Sequence, residues 1–163
     1  MRRVTLIASE LKRLMYSPFW VAKLLHHFLS GVTSEDERGI KIELIYFVIP
    51  FIFDANIRNK LVKANKNSTM ATLFNDIELK NHLILKAREI NEFRKITNEG
   101  FIVLGNKTQL EISDYIFTRN IIEYQKEKNI LIRDYCRTAY YLGVVFSKEN
   151  YKNIFLKVGV SKI

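Results

Sequence analysis

The sequence predicts a mainly α-helical, compact single domain, spanning residues 1–163, with a small β element. Apolar residues recur at helical spacing in several separate segments. Of the 163 residues, 48% are apolar and 26% are charged, which is ordinary globular composition. Only two prolines and six glycines interrupt the chain, so no flexible linker is expected. A chain of this length supports one core and little more.

The first predicted helix has its apolar stripe over residues 19–29. Pro18 suits its first turn, and Gly31 suits its end. The acidic segment 34–37 is either a capping box that opens a helix or a solvated loop. Residues 42–53 predict a second helix that is apolar nearly all round and therefore central.

Shorter helices are predicted to follow. Residues 54–62 form a polar helix capped by Asp54, and Ser68 or Thr69 caps another. Residues 78–96 predict the longest helix, and residues 97–104 a short one that ends near Gly105.

The C-terminal third combines a strand with two helices. Residues 109–112 alternate apolar with polar and predict a strand, whereas strand and helix are nearly tied for residues 115–124. Apolar residues at helical spacing predict a helix over residues 132–146, and Ser147 is expected to cap a last one. Helices followed by a strand pair are compatible with a winged helix.

Residues 100–108 imitate a phosphate-binding loop. In that motif Lys directly follows a glycine, and small residues let backbone N–H groups surround a phosphate. Here Asn106 separates Gly105 from Lys107, and the preceding residues are Phe, Ile, Val and Leu. We therefore expect no nucleotide site and no cofactor.

The His and Cys residues predict neither a metal site nor a catalytic centre. His26 and His27 are adjacent, so on a helix they point about 100° apart, and His82 stands alone. We expect His26 to be partly buried and His27 to be exposed. Cys136, the single cysteine, excludes an internal disulfide and favours a core or boundary thiol in a reducing compartment. No set of residues predicts catalysis.

The net charge of +9 suggests an anionic partner, either nucleic acid or an acidic protein surface. A Lys-, Asn- and Ile-rich composition that reflects genomic base bias explains it equally well. Residues 55–75 contain no acid and four cations, which are Arg58, Lys60, Lys63 and Lys66. This stretch predicts contact with phosphate or with an acidic partner. A solvated connector is the alternative.

The helix of residues 132–146 carries a second candidate surface. Arg133 and Arg137 are one turn apart, and Tyr141 shares their side of the helix. Arg and Tyr are favoured at the centres of protein interfaces, so we predict an exposed partner-contact patch. Alternatively, Arg133 only stabilises its helix.

No segment predicts a membrane span. The longest apolar stretch, residues 40–53, contains Lys41, Glu43 and Pro50, whereas a span needs about 20 apolar residues. The first ten residues contain too short an apolar run for a signal peptide. We expect a soluble, cytoplasmic protein.

Several motifs resemble, in the right order, the middle component of bacterial three-component ABC systems, the group that contains the small accessory subunit of Lamassu-type defence. These motifs are residues 17–28, 42–51, 57–61 and 67–73, together with Leu142, Gly143, Phe146 and residues 154–160. The resemblance spans nearly the whole chain.

The resemblance implies a non-catalytic accessory subunit. It would sit at the heads of an SMC-like ABC ATPase and couple DNA sensing to restraint or release of a nuclease effector, in defence against phage and plasmids. The partners would supply the ATP and metal chemistry. One alternative is a stand-alone winged-helix DNA-binding regulator, whose recognition helix should be rich in Arg and Lys, although residues 97–104 are apolar. An unrecognised small enzyme is the third hypothesis.

Overall fold

Helix α1 is the central element of the fold. The computed structural model describes Arg13 and residues 15–161. The residues considered for a signal peptide lie outside the described residues. Helix α1 runs from Pro18 to Glu35, and nearly every residue from Val21 to Val32 is buried. The helix therefore continues past Gly31, where it was expected to end.

Within the described residues, seven further α-helices follow α1, which confirms the helical fold class. They are α2 (Val48–Phe53), α3 (Ala55–Leu61), α4 (Met70–Leu73), α5 (Ile77–Glu92), α6 (Arg94–Lys107), α7 (Ile130–Ser147) and α8 (Tyr151–Val158). Short 3₁₀ helices precede α2 (Ile42–Phe47) and α7 (Tyr124–Lys126). Residues 42–53 are thus helical as predicted, with a tighter first half.

The predicted caps of α3 and α4 are confirmed. The Asp54 side chain accepts hydrogen bonds from the backbone N–H groups of Asn56 at 2.9 Å and Ile57 at 3.1 Å. Thr69, rather than Ser68, caps α4 through a reciprocal capping box with Thr72. Short polar side chains therefore begin both helices, where the first backbone N–H groups lack partners.

Two predicted boundaries are wrong. The helix expected over residues 78–96 ends at Glu92, because Phe93 turns to stack on Tyr16 with ring centroids 5.7 Å apart. The following helix is therefore longer than expected. Ser147 is the last residue of α7, and Asn150 caps α8 instead. Of the two alternatives for the acidic segment 34–37, the capping box is wrong: Ser34 and Glu35 end α1, and residues 36–37 belong to the loop that follows.

A three-stranded antiparallel sheet lies at the C-terminal end of α1. It contains β1 (Ile40–Lys41), β2 (Leu110–Ile112) and β3 (Tyr115–Thr118) in the order β1-β3-β2. Ile116 pairs with Ile40 on one side and Ile112 on the other. The strand predicted over residues 109–112 is confirmed. Residues 115–118, for which strand and helix were nearly tied, form a strand. Helix α6 leads directly into the β2–β3 hairpin, so the chain stays compatible with a winged helix.

The main core lies where α1 and α7 cross. Phe28 and Phe146 are fully buried there, with ring centroids 6.1 Å apart. The two backbones approach so closely that a Cβ atom on Gly31 would overlap the Tyr140 carbonyl group. A Cβ atom on Gly143 would likewise overlap backbone atoms of α1. These two glycines allow the crossing.

No helix in the described part of the chain is both long enough and apolar enough to cross a membrane.

We predict that Gly143→Ala lowers the free energy of unfolding by about 1–3 kcal/mol, the usual cost of overpacking a core. Gly105→Ala is the matched control, because Gly105 lies in α6 and a Cβ atom added to it would meet nothing within 4 Å beyond its chain neighbours and its own helix backbone. There, alanine should stabilise the helix by up to about 1 kcal/mol. Urea denaturation measures both changes. Equal shifts in the two variants would contradict the packing argument.

Candidate partner-binding surface

The acid-free stretch of residues 55–75 folds as α3, an ordered loop and α4. The loop is held by its own polar side chains. The backbone N–H of Asn65 donates to Ser68 Oγ at 3.0 Å, and the Asn65 side chain accepts from the backbone N–H of Asn67 at 2.8 Å. Asn and Ser favour such local hydrogen bonds. The loop is therefore a defined structure rather than a loose connector.

Arg137, on α7, holds the start of this loop. Its Nε donates to the Val62 carbonyl oxygen at 2.7 Å, its Nη2 to that of Ala64 at 2.9 Å, and its Nη1 to Tyr124 Oη at 2.9 Å. The guanidinium group also lies over the Tyr141 ring, 4.8 Å from the centroid. Charged donors form strong hydrogen bonds with carbonyl groups that a helix end leaves unpaired. Arg137 thus fastens α7 to the end of α3.

The exposure expected for Arg137 and Tyr141 is therefore wrong. Tyr141 is only 9% exposed, because the Arg137 guanidinium and the Tyr124 and Tyr140 rings pack around it. Arg133 is half-buried and lines a surface depression of about 390 Å³ beside Arg137. A contact of these three residues with a partner stays a prediction.

The four cations of the stretch differ in their surroundings. Lys63 and Lys66 are exposed, and no acidic side chain within the described residues pairs with either. Lys60 is exposed as well, with Nζ 3.7 Å from Asp76 Oδ2. Arg58 instead donates from Nη1 to the Ile52 carbonyl oxygen at 2.9 Å and lies over the Tyr135 ring. Three of the four cations therefore face solvent, and Arg58 packs against the fold.

Lys148 adds a charge to this region that no sequence pattern predicts. It follows the last residue of α7, and its Nζ donates to the carbonyl oxygens of Lys66 and Ser68. Only the folded chain brings it there, across about eighty residues of sequence. We call Lys60, Lys63, Lys66 and Lys148 the basic surface.

The two surfaces predicted separately from the sequence are neighbours. Helix α3 packs on α7, and Arg137 bonds directly to the loop that carries Lys63 and Lys66. Lysine ammonium groups are compact positive charges that attract phosphate groups and carboxylates without demanding one geometry. The arrangement is suited to binding an anionic partner.

His26 and Cys136 fall where the sequence predicts, but His27 does not. His26 is half-buried, and its Nε2 donates to the Asn120 carbonyl oxygen at 2.7 Å. Cys136 is fully buried, and burial raises the pKa of its thiol to about 12. His27 was expected to be exposed, but only 2% of it is accessible to solvent, and burial lowers its pKa to about 4. The reason is that helix α1 is enclosed on nearly all sides, so it has almost no solvent face at this position.

The structure also brings together His27, Glu127 and Cys136, whose ligand-type atoms all lie within 4.8 Å of one another. The sequence argument against a metal site missed this cluster, because it considered spacing along single helices.

Residues 100–107, the near match to a phosphate-binding loop, belong to α6. A Cβ atom on Gly100 would overlap the Val21 side chain of α1. The glycine therefore serves helix packing rather than a phosphate-binding turn.

A buried ion pair supports the start of α3. Lys86, which is 4% exposed, donates to Asp54 Oδ2 at 2.7 Å and to Glu89 at 2.9 Å. Burial would raise the pKa of Asp54, but the hydrogen bond and charge of Lys86, the Ile57 N–H and the nearby His82 outweigh it and hold that pKa below its ordinary value. The ionised carboxylate thus stabilises the folded chain.

We predict that Asp54→Asn destabilises the protein at pH 7 by about 1–3 kcal/mol, because Lys86 loses a partner. A lowered folded-state pKa contributes stability that is fully present above the unfolded value, near pH 4, and declines as the pH falls through the folded value. The difference between wild type and variant in free energy of unfolding should therefore shrink below about pH 4.

Asp76→Asn is the matched control. Asp76 also caps a helix, accepting from the Leu79 N–H at 2.8 Å, but its ion pair with Lys60 is exposed. Its replacement should cost less than about 1 kcal/mol. A difference for Asp54→Asn that stays constant with pH would contradict the role given to its charge.

Comparison with known families agrees with the resemblance seen in the sequence. A family model described as the ABC-three component (ABC-3C) system Middle Component 3 matches residues 7–162. No curated protein and no solved structure matches the chain. The expected relationship to middle components of three-component ABC systems is thereby confirmed. The chain belongs to the Middle Component 3 family of ABC-three component systems.

Proposed function

We propose that this chain is a non-catalytic accessory subunit of an SMC-like ABC ATPase complex of the Lamassu type, acting in cytoplasmic defence against phage and plasmids. The observation that carries the proposal is the family match over residues 7–162, because membership in a middle-component family implies an ABC ATPase partner. The subunit docks at the ATPase heads and couples DNA sensing to control of a nuclease effector. ATP turnover and nuclease chemistry belong to the partner subunits.

The basic surface supports a docking role. Its lysines surround a loop that is held in place by Asn65 and by Arg137 before any partner arrives. A preformed surface loses little conformational entropy on binding. Its positive charge suits an acidic surface of the ATPase or the DNA held by the complex.

Helix α6 is where a stand-alone winged-helix regulator would contact DNA, because it precedes the hairpin. Its exposed residues include Lys95, Asn98, Ile102 and Asn106. Ile102 is 63% exposed in the middle of this set. Base recognition uses Arg, Lys or Asn side chains, and Ile102 interrupts those that this helix presents. The accessory-subunit proposal is better supported because the family match over residues 7–162 favours it.

We predict that the chain forms a stable complex with its ABC ATPase and that Lys63→Glu with Lys66→Glu raises the Kd by about tenfold or more, because reversed charges repel an acidic surface. The matched control is Lys95→Glu with Lys152→Glu, which reverses two other exposed lysines. Co-purification and titration calorimetry measure both. Failure of the wild-type chain to bind the ATPase would refute the proposed function. Equal effects of the two pairs would show that only net charge matters.

We also predict that the basic surface contributes to DNA binding by the assembled complex. Lys63→Gln with Lys66→Gln should flatten the slope of log affinity against log salt by about 1.8, because each phosphate contact contributes about 0.9 for duplex DNA. Lys95→Gln with Lys152→Gln should leave the slope unchanged. An unaltered slope together with weakened assembly would assign the basic surface to the ATPase instead of DNA. No change in either would make it a solvated connector.

A further inference from the structure

Three side chains of different chemistry meet between α1 and α7. His27 comes from α1, Cys136 from α7, and Glu127 from the segment between the 3₁₀ helix Tyr124–Lys126 and α7. A ring nitrogen, a thiol sulfur and a carboxylate oxygen all lie within 4.8 Å of one another. His27 is 2% exposed and Cys136 is fully buried.

His27 also carries an unpartnered polar atom. Its Nδ1 is enclosed and makes no hydrogen bond within the described residues. Buried polar atoms are almost always paired, and each exception calls for an explanation such as an unfilled ligand position. A neutral imidazole offers the lone pair of one ring nitrogen to a cation.

We propose that His27, Glu127 and Cys136 form a binding site for one divalent cation of the zinc class, with a fourth position left for water. Zinc takes this combination of imidazole nitrogen, thiolate sulfur and carboxylate oxygen. Bond lengths of about 2.0–2.3 Å place tetrahedral ligands about 3.4–3.7 Å apart. The present spacing therefore needs only a small contraction.

In the structure, Lys23 supplies the positive charge beside Glu127. Its ammonium group pairs with Glu127, and both side chains reach solvent, with 36% and 25% exposure. Lys23 also stands one helical turn before His27 on α1. As the metal binds, Glu127 exchanges the ammonium group for the metal, and Lys23 moves into solvent. The Cys136 sulfur forms a bond to the metal, and the thiol proton leaves to solvent.

The test uses the full chain, treated with chelator and titrated with Co²⁺ as a spectroscopic probe and with Zn²⁺ in competition. We expect one cobalt per chain and a thiolate-to-cobalt charge-transfer band in the near ultraviolet. Cys136→Ser should remove that band. His27→Gln and Glu127→Gln should each weaken zinc binding by at least about tenfold, since even outer-shell partners of metal ligands change affinity by about 10–100-fold.

Two further variants sharpen the test. Lys23→Met should strengthen zinc binding, because it removes the competing ammonium group. His82→Gln is the matched control, since His82 lies 3.5 Å from Asp54 and forms a histidine–carboxylate pair outside the cluster; it should leave binding unchanged.

Circular dichroism identifies any variant that does not fold. If Cys136→Ser is one of them, Glu127→Gln and Lys23→Met decide, because their side chains are partly exposed and must change affinity in opposite directions. A wild-type chain without the thiolate band overturns the proposal. So does a band that survives both His27→Gln and Glu127→Gln.

Discussion

The fold depends on the close approach of α1 and α7 at Gly31 and Gly143. Because neither residue has a side chain, the two backbones come near enough for Phe28 and Phe146 to fill the space beside the crossing. The other described elements are arranged around this pair. Helix α6 packs on α1 through Gly100, and the strand β3 reaches it through the Thr118 N–H and the Thr33 hydroxyl group. A larger residue at the crossing would separate α1 from α7 and disturb everything that rests on them.

Arg137 connects the helix crossing to the surface loop. It lies on α7 six residues before Gly143, and its guanidinium group fixes the carbonyl groups that follow α3. Burial and the hydrogen bond to Tyr141 raise the pKa of Tyr124 to about 12, so the Tyr124 hydroxyl group stays neutral as an acceptor for Arg137. Lys63 and Lys66 of the basic surface therefore stand on a loop whose position is set by the core. A partner that moves this loop would act on α7.

The sequence predicts most helices correctly because their apolar periodicity is strong, and it predicts the caps at Asp54 and Thr69 because capping is local chemistry. It fails where tertiary packing decides. Gly31 is an ordinary helix stop in sequence but a packing contact in the fold, and Phe93 breaks a periodic segment because aromatic partners draw it inward. The exposure of Lys60, Lys63 and Lys66 can be predicted from their charge alone. The burial of Tyr141 and His27 and the approach of Lys148 depend on residues distant in sequence, so no local pattern predicts them.

The proposed metal site and the basic surface share one structural segment. Tyr124 accepts a hydrogen bond from Arg137, and Glu127 follows Tyr124 by three residues. A single short segment therefore contacts Arg137, which binds the loop, and also contributes Glu127 to the proposed metal site. Cys136 immediately precedes Arg137 on α7. A cation that draws Glu127 toward Cys136 would therefore pull on Tyr124 and on the helix that carries Arg137. Because interior packing is dense and resists small shifts, such a pull would be transmitted to the loop rather than absorbed locally. If a cation binds at the proposed site, its occupancy would therefore be coupled to the shape of the proposed partner-binding surface.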